Sequence, residues 1–558
     1  MPQRIFERIT APIRGLHQAA YLLAAFTLAS QALALLRDRT FAHSFGAGET
    51  LDLYYAAFRV PDLVFALVAS LVSAYVLIPR ITGMDREATR NLLSQSATFL
   101  FGVGGILCVV LAFFMPQFLA FLYPGFVASP QYADFILLAR ILLVQPILLG
   151  LSGIISSVTQ VHRRFALFAL SPVLYNLGII LGTVYFYPLF GLPGIGFGVI
   201  IGAIAYLAVN IPVVLAVGVC PRFRFPQFSF MLPIVRDSVP RSLALGVGSI
   251  TALALTALAS RIGTGSVSVF TFASNLEAVP LALIGSSYAV AAFPALSEAS
   301  ALEKRDEFTN ILSASARHII LWSTVAFGLI VVLRAHLVRV ILGSGAFGWN
   351  ATRLTAALLV ILAVCLAAQG LVLLFSRALY AARQSWRPLL YQLAGGAVTV
   401  AIAALFLSFP VEVSSSFAGF LKVGDIQGTS ILFLALAVAI GQCFLAVLSL
   451  IALRSVAPGL ARTLVEPLRD GIAAAVCGGG AAYLVLALEG GIAPLTTLVA
   501  VLAEGFVAGC VGLAVAAGIL YIIGNREVRA IWSAFDKLIR GRERTNALEP
   551  SAEEPIQP

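Results

Sequence analysis

The chain has 558 residues, of which 60% are hydrophobic and only 11% are charged. A soluble domain carries roughly 25% charged residues, so this composition excludes an ordinary soluble protein and indicates a polytopic membrane protein. The formal net charge of +10 is compatible with nucleic-acid binding, but the basic residues lie beside apolar runs, which is typical of membrane topology. We therefore expect no nucleic-acid partner.

Apolar runs of about 20 residues recur from Leu16 to Ile523, and such runs cross a bilayer as helices. No small-residue cleavage site follows the first run, so we interpret it as a retained helix. We predict an all-α polytopic membrane protein with about fourteen transmembrane helices. The predicted spans are 16–36, 53–79, 92–115, 132–161, 165–188, 192–218, 240–260, 267–295, 312–333, 352–376, 388–409, 428–452, 470–489 and 494–523.

The basic residues predict the orientation of these spans. With the N-terminus in the cytoplasm, most of the 36 Lys and Arg residues lie in the N-terminus, the even-numbered connections and the C-terminal tail. This is the distribution that the positive-inside rule requires, and it places both termini in the cytoplasm. The pattern from Arg526 to Arg544 favours a basic amphipathic helix, either bound to membrane lipids of the inner leaflet or solvated.

Charged residues are concentrated between the first two apolar runs, where topology does not explain them. Ionisable groups at membrane depth usually line a cavity or a pathway. One interpretation is an anion site in a water-filled cavity, because the arginine fork suits phosphate oxygens and an adjacent acid orients it. The alternative is an ion-pair network that holds the first helix to the second. The residues concerned are Arg37, Asp38, Arg39, Asp52, Arg59 and Asp62.

Further polar residues lie inside the predicted spans. Arg140 in the fourth span is predicted either to line a groove or to extend to the interface. Asn275 and Glu277 precede Pro280 in the eighth span, which is typical either of a broken helix at a binding site or of a simple kink. Glu504 is the only acid of the last span, and protonation, pairing and cavity lining remain open for it.

Motifs for enzyme chemistry are absent from the sequence. The five histidines are isolated and the six cysteines are scattered, without CxxC or HExxH spacing, so we expect no metal site. There is no Walker A motif, and we predict neither an enzyme nor a cofactor. The glycine-rich run 191–198 opens a membrane helix and therefore favours helix packing over nucleotide binding.

A weak internal repeat suggests how the chain is divided. The connections after the fourth and tenth spans both carry a basic cluster followed by a proline, at Arg163–Pro172 and Arg377–Pro388. Such resemblance six spans apart is typical of transporters built from repeats, although loops that obey the positive-inside rule also resemble one another. We predict an N-terminal six-helix lobe at 1–218, a second lobe at 219–452, two additional helices at 453–523 and a basic tail at 524–558.

These motifs together resemble the MurJ/MviN family of lipid II flippases, with agreeing order and spacing over most of residues 15–520. The resemblance is carried by Arg37-Asp38, Phe45-Gly46-Ala47-Gly48, Asp52, Phe58-Arg59-Val60-Pro61, His162-Arg163-Arg164-Phe165 with Pro172 and Asn176, Gly265-Ser266-Val267-Ser268, Gly345-Ala346-Phe347, and Ser376-Arg377-Ala378-Leu379-Tyr380-Ala381.

The resemblance implies a two-lobed fold of the multidrug/oligosaccharidyl-lipid/polysaccharide exporter type. It also implies alternating access and export of an undecaprenyl-diphosphate-linked peptidoglycan precursor across the bacterial inner membrane. In this interpretation Arg37, with Arg59 and Arg39, holds the diphosphate, Asp38 and Asp52 orient the arginines, and the lipid tail lies in a groove beside the later helices.

The sequence departs from the family pattern at several positions. Gln31, Phe65 and Asn275 stand where the resemblance implies further arginines around the cavity, and the acid expected in the seventh span is missing. One hypothesis is that Arg39, Arg59 or Arg140 compensates. Two other functions stay open: a flippase for another polysaccharide-lipid carrier, and a non-transporting scaffold that recruits cell-wall synthesis proteins through its tail.

Overall fold

The computed structural model describes residues 16–384, 386–489 and 498–529, and these residues form helices and connections without a strand. Eleven helices in this part of the chain are long and apolar enough to cross a membrane, and two bent helix pairs raise the number to as many as 13. The all-α polytopic class is thus confirmed. The first predicted span lies in a further helix of 30 residues that is not among these candidates.

We number the long helical elements in chain order. They are α1 Leu16–Phe45, α2 Glu49–Leu67 with Ala69–Ile81, α3 Arg86–Leu122, α4 Tyr132–Val161, α5 Phe165–Phe190, α6 Leu192–Val217, α7 Ser229–Ala259, α8 Ser266–Ala301, α9 Arg305–Leu342, α10 Trp349–Val364 with Leu366–Ala381, α11 Trp386–Leu407, α12 Ile431–Leu453, α13 Leu460–Leu488 and α14 Leu498–Ile523. A short helix, Val411–Phe420, lies between α11 and α12.

Several helices are longer than their apolar runs. Helix α7 begins at Ser229, eleven residues before the predicted start at 240, and α9 covers 305–342 where 312–333 was predicted. Backbone hydrogen bonds within a helix do not depend on the apolar solvent, so a helix continues past the membrane boundary until a cap or turn ends it. The apolar pattern therefore located the spans better than it located their ends.

Two elements bend sharply inside the membrane region. The two parts of α2 meet at 40° around Val68, and the two parts of α10 meet at 47° around Cys365. Helix α8 stays continuous but contains Pro280 and a π-helical segment, Ala282–Ser286. Kinks at prolines and π-segments free backbone groups, and such irregularities are frequent at functional sites.

Apolar packing joins α1 and α2 to α8 in the middle of the molecule. Phe41 of α1 stacks edge-on with Tyr54 at 4.9 Å between ring centroids, and Tyr55 stacks edge-on with Phe272 of α8 at 6.1 Å. Phe272 in turn contacts Phe347, which precedes α10. The largest core of the described residues therefore extends across the predicted lobe boundary.

One end of the molecule is closed by contacts between three turns. The turn from α1 to α2 contains Gly46 in the left-handed conformation (φ 63°), and a Cβ there would lie 2.6 Å from the Ala346 carbonyl oxygen. The Ala346 N–H donates to the His43 carbonyl over 3.0 Å. Gly265, between α7 and α8, has φ 87°, and a Cβ there would lie 2.6 Å from the Ala47 carbonyl oxygen. Only glycine fits these backbone approaches.

Candidate functional site: a polar cavity between packed helices

A polar cavity of about 310 Å³ lies where α1, α2, α4, α5 and α8 meet. Its lining combines two arginines and one aspartate with several aromatic side chains. The lining residues are Arg37, Phe41, Tyr54, Tyr55, Phe58, Arg59, Asp62, Gln145, Leu149, Tyr175, Ile179, Thr271 and Asn275. Most of them come from the first five helices, and Thr271 and Asn275 come from α8.

Arg37 is held in the cavity wall by two neighbouring side chains. Its Nε and Nη2 both donate to Asp38 Oδ1, over 3.0 and 2.8 Å, and its Nη1 donates to Asn176 Oδ1 of α5 over 3.1 Å. The side chain of Arg37 is 20% exposed, whereas that of Asp38 is 3% exposed. Arg37 is therefore oriented by buried partners while part of its guanidinium remains accessible.

Asp38 also connects the two sides of the cavity. Its Oδ2 accepts a hydrogen bond of 2.9 Å from Asn275 Nδ2 on α8. The chain Arg37–Asp38–Asn275 thus links the first helix with the eighth through charge-assisted hydrogen bonds, which are stronger than neutral ones. An anion that binds Arg37 would compete with Asp38 and thereby weaken a contact between α1 and α8.

Arg59 is the second arginine of the cavity. Its Nε donates to Thr256 Oγ1 of α7 over 2.8 Å, and the charge of Asp62 acts on it from the next turn of α2. Tyr54, Phe58 and Asp62 follow one another at i, i+4 and i+8 on the same helix face. This helical spacing was the signal in the sequence that could have identified the aromatic lining of α2.

Some lining groups were not foreseen from the sequence. Tyr175 and Gln145 come from α5 and α4, and they enter the cavity only because these helices pack against α1 and α2. Tyr55 Oη and Gln145 Oε1 are buried and have no hydrogen-bond partner among the described residues. Unpartnered buried polar atoms are costly, so they are suited to a polar ligand or ordered water.

Asp52 does not orient an arginine, which corrects the sequence-based expectation. It is buried, and its carboxylate accepts hydrogen bonds from Gly265 N–H at 2.6 Å, Ser268 N–H at 2.7 Å and Ser268 Oγ at 2.8 Å. These donors belong to the N-terminus of α8, which has no capping side chain of its own. A carboxylate is favoured there by the free N–H groups and the helix dipole.

Arg39 and Arg140 do not line the cavity either. Arg39 Nη1 donates to the carbonyls of Val340 and Ile341, over 2.6 and 3.3 Å, at the C-terminal end of α9. A cation there satisfies helix carbonyls that have no intrahelical partner. Arg140 is exposed, and its Nε donates to the Ala112 carbonyl of α3 over 2.9 Å. The geometry thus offers no support for their compensating the missing arginines.

The three positions at which the sequence lacks an expected arginine have different surroundings. Asn275 lines the cavity, whereas Gln31 and Phe65 are not among the lining residues. Glu504 is paired, since its Oε2 lies 3.2 Å from His336 Nε2 of α9. The described residues contain no group of three or more metal-ligating side chains. The cavity combines two guanidinium groups with the carboxyl of Asp62, hydroxyls and amides.

Comparisons with known proteins agree with this architecture. A protein-family model described as "Lipid II flippase MurJ" matches residues 41–418, which is more than half of the chain. The lipid II flippase MurJ of Burkholderia cenocepacia is 27% identical over 320 residues, covering 54% of this chain and 61% of that protein. The chain thus spans about three fifths of the length of this curated relative.

Solved structures show the same fold. A lipid II flippase MurJ in an inward closed conformation has a TM-score of 0.72 at 19% identity, and the match covers 90% of this chain and 99% of that structure. An inward-facing multidrug resistance MATE transporter of the MOP superfamily has a TM-score of 0.62 at 17% identity, covering 78% of this chain and 96% of that one. By the family match and this shared fold, the chain belongs to the MurJ family.

Proposed function

We propose that this protein is a flippase that moves a lipid-linked peptidoglycan precursor, lipid II, across the bacterial inner membrane by alternating access. The observation that carries the proposal is the placement of Arg37 and Arg59 in one cavity between α1, α2 and α8. Two guanidinium groups suit a diphosphate, because each offers paired donors to phosphate oxygens. Family membership and the related names of its members support this substrate.

The lipid tail would lie in a separate groove. An apolar space of about 450 Å³ lies between α9 and α14, with Leu333, Leu337, Leu502 and Phe506 in its lining. Apolar walls accept an isoprenoid chain, and His336, which also lines this space, is paired with Glu504. The diphosphate and the tail would thus occupy different parts of the protein, as the chemistry of such a lipid requires.

Alternating access would work by rocking of two six-helix lobes, α1–α6 and α7–α12, with α13 and α14 packed on α9. The turns after α4 and α10 have the same geometry, since Arg164 N–H donates to Thr159 O and Gln384 N–H donates to Leu379 O. The same turn also ends α8, where Lys304 N–H donates to Ala299 O, and it is a common helix C-cap, so the repeat is proposed from the basic clusters and prolines of the two connections. Arg163 and Arg383 in these turns both adopt a left-handed conformation, with φ of 55° and 58°. The two turns lie six spans apart, as the predicted repeat requires.

We also propose an orientation of the protein in the membrane. If both termini are cytoplasmic, the closed end with Gly46, Gly265 and Ala346 faces the periplasm, because it contains odd-numbered connections. The predicted N-terminal arginines at 4, 8 and 14, and most of the amphipathic tail helix from Arg526 to Arg544, lie outside the described residues. The interaction of the tail with membrane lipids or cell-wall synthesis proteins remains a prediction.

Complementation tests the function. We would express the wild type, Arg37→Ala, Arg59→Ala and Arg140→Ala in bacteria depleted of their own lipid II flippase, with membrane expression confirmed. We expect rescue by the wild type and by the Arg140→Ala control, and loss of rescue by both cavity variants. Rescue by all four proteins would exclude the cavity arginines from the site.

The alternatives give other results. A scaffold should fail when residues 530–558 are removed, although Glu527 and its contacts remain, whereas a flippase should still transport. No rescue by a properly inserted wild type would contradict the lipid II assignment. A flippase for another polysaccharide-lipid carrier would then be tested with that carrier in vesicles.

A further inference from the structure

Helix α8 carries a buried carboxyl group that does not line the cavity. Glu277 is 5% exposed, and its Oε1 has no hydrogen-bond partner among the described residues. Asn275, two residues earlier, lines the cavity. Two residues correspond to about 200° of rotation around a helix, so Glu277 is directed away from the cavity.

Among the residues that the structure describes, no cation acts on Glu277. The side chain of Gln369 on α10 is the polar group that acts on the carboxyl, and Gln369 Nε2 donates to Cys365 Sγ over 3.2 Å. The other titratable groups nearby are the thiols of Cys365 and, beyond it, Cys443 of α12. On the opposite face of α8, Asp38 is bonded to Asn275 and neutralised by Arg37.

This buried environment favours the neutral carboxylic acid of Glu277 over its charged carboxylate. A buried carboxylate without a cation costs several kcal/mol because it loses its hydration, whereas a neutral carboxylic acid costs far less. An ionisable residue inside a membrane protein that is not paired is therefore a candidate for transient protonation. Gln369 is partly exposed, so the buried carboxyl of Glu277 lies near the molecular surface at this side chain.

Glu277 also lies between two irregular helices. Cys365, next to Gln369 in space, is the residue at which α10 bends by 47°. Pro280 and the π-helical segment Ala282–Ser286 follow Glu277 on α8. The two helices cross closely at Gly285 and Gly370, where a Cβ on Gly285 would lie 2.7 Å from the Gly370 Cα. A charge change at Glu277 thus acts where α8 and α10 can change their angle.

We propose that Glu277 is a proton-binding site that couples the rocking of the lobes to the proton gradient across the membrane. This proposal rests on the proposed transport function. In one conformation the carboxylate takes a proton from water on one side, and in the other conformation the carboxylic acid returns it to water on the opposite side. One proton then crosses the membrane in each cycle, and no other reactant is needed.

The test uses the full chain in proteoliposomes with a fluorescent lipid-linked diphosphate and no membrane potential. For one proton per cycle, a gradient of one pH unit should produce a leaflet ratio of about tenfold, since one unit corresponds to a tenfold change in proton activity. We expect this ratio for the wild type and for the control Glu298→Gln, which replaces an exposed acid of the same helix, and its reversal when the gradient is reversed. Glu277→Gln should equilibrate the lipid at a ratio of about one while still exchanging it.

An independent readout separates the proposal from the transport function. Infrared spectra of the purified protein should contain a carboxylic acid C=O band that titrates and is missing in Glu277→Gln. Glu277→Asp retains an ionisable group and should retain the response to the gradient. A gradient response in Glu277→Gln equal to that of the wild type would overturn the proposal, as would the absence of such a band. If the wild type moves no lipid, the transport function fails, and the infrared titration still decides whether Glu277 binds a proton.

Discussion

At the scale of single residues, charged side chains of the first two helices differ in function because their surroundings differ. Arg37 and Arg59 line the polar cavity and are partly exposed. Arg39 and Asp52 face the ends of other helices, where the backbone offers carbonyl or N–H groups without intrahelical partners. The structural-network interpretation thus applies to Arg39 and Asp52, and the anion-site interpretation is proposed for Arg37 and Arg59.

Replacing Asp52 should destabilise the closed end. Asp52→Ala removes the acceptor for two buried N–H groups of α8, and we expect a loss of about 2 kcal/mol in the free energy of unfolding. Thermal unfolding in detergent would measure it. Glu49→Ala, one turn earlier on α2, serves as the control because Glu49 forms no hydrogen bond with α8. An equal melting temperature for wild type and Asp52→Ala would contradict the capping role.

Glu527 should make the attachment of the C-terminal end of α14 depend on pH. Hydrogen bonds from His318 and Arg317 of α9, at 2.8 and 2.6 Å, lower the pKa of Glu527 from 4.5 to about 2. Because the pKa in the folded protein is depressed, the stabilisation is complete above the unfolded pKa of 4.5 and is lost as the pH falls towards 2.

We therefore expect Glu527→Gln to melt at a lower temperature than the wild type at pH 7. The difference should shrink between pH 4.5 and 2, the two pKa values that bound the titration. Melting curves across this pH range would show it. Glu87→Gln, on the exposed surface at the start of α3, should melt like the wild type at every pH. A difference for Glu527→Gln that stays constant with pH would exclude the ionised pair as its cause.

At the scale of elements, glycines determine how closely helices approach. The glycine-rich run 191–198 belongs to the connection and first turns of α6, and a Cβ on Gly198 would lie 2.6 Å from the Gly178 carbonyl oxygen of α5. The interpretation of this run as a helix-packing motif is confirmed by this contact. Small residues allow close backbone approach, which drives helix association in lipid.

Gly198→Ala should therefore weaken the packing of α5 on α6. We expect a clear decrease in melting temperature and in the yield of folded protein, because the backbone of α5 cannot move without disturbing α1. Gly153→Ala is the matched control, since a Cβ there meets no atom within 4 Å and alanine is a better helix former than glycine. The reverse order of the two melting temperatures would contradict the packing argument.

At the scale of the whole molecule, contacts join the two predicted lobes, 1–218 and 219–452, at both ends. Away from the closed end, Ser70 of α2 and Ser242 of α7 have hydroxyl oxygens 2.6 Å apart, and Arg80 pairs with Asp237 at 2.6 Å. Rocking of the lobes requires one set of contacts to break while another forms. The described conformation therefore represents one stage of such a cycle under the proposed function.

A disulfide between α2 and α7 should stop transport. In a background whose exposed cysteines are replaced by serine, Ser70→Cys/Ser242→Cys should oxidise, because the two positions are close enough for a bond. We expect loss of lipid transport after oxidation and recovery after reduction, measured in proteoliposomes. The single variants Ser70→Cys and Ser242→Cys, which cannot form this bond, should remain active under the same oxidising conditions. Full activity of the oxidised Ser70/Ser242 pair would argue against lobe movement at this contact.

The sequence by itself determined the membrane class and the approximate spans. These properties follow from composition, apolar length and the cost of charge at membrane depth, all of which are local along the chain. The bends at Val68 and Cys365 and the ends of the long helices were not predictable from apolar length, since caps and neighbouring helices decide them.

Only the tertiary structure decided which groups meet. Asp52 meets the N-terminus of α8 across a sequence separation of 213 residues, Arg39 meets α9 across 301, and Glu504 meets His336 across 168. The sequence could not assign a partner to any of these side chains. A hydrogen bond requires two atoms within about 3 Å of each other, and only the folded chain brings such distant residues that close. Packing of α1, α2 and α8 therefore selected Arg37 and Arg59 for the cavity and placed Arg39 and Asp52 at helix ends.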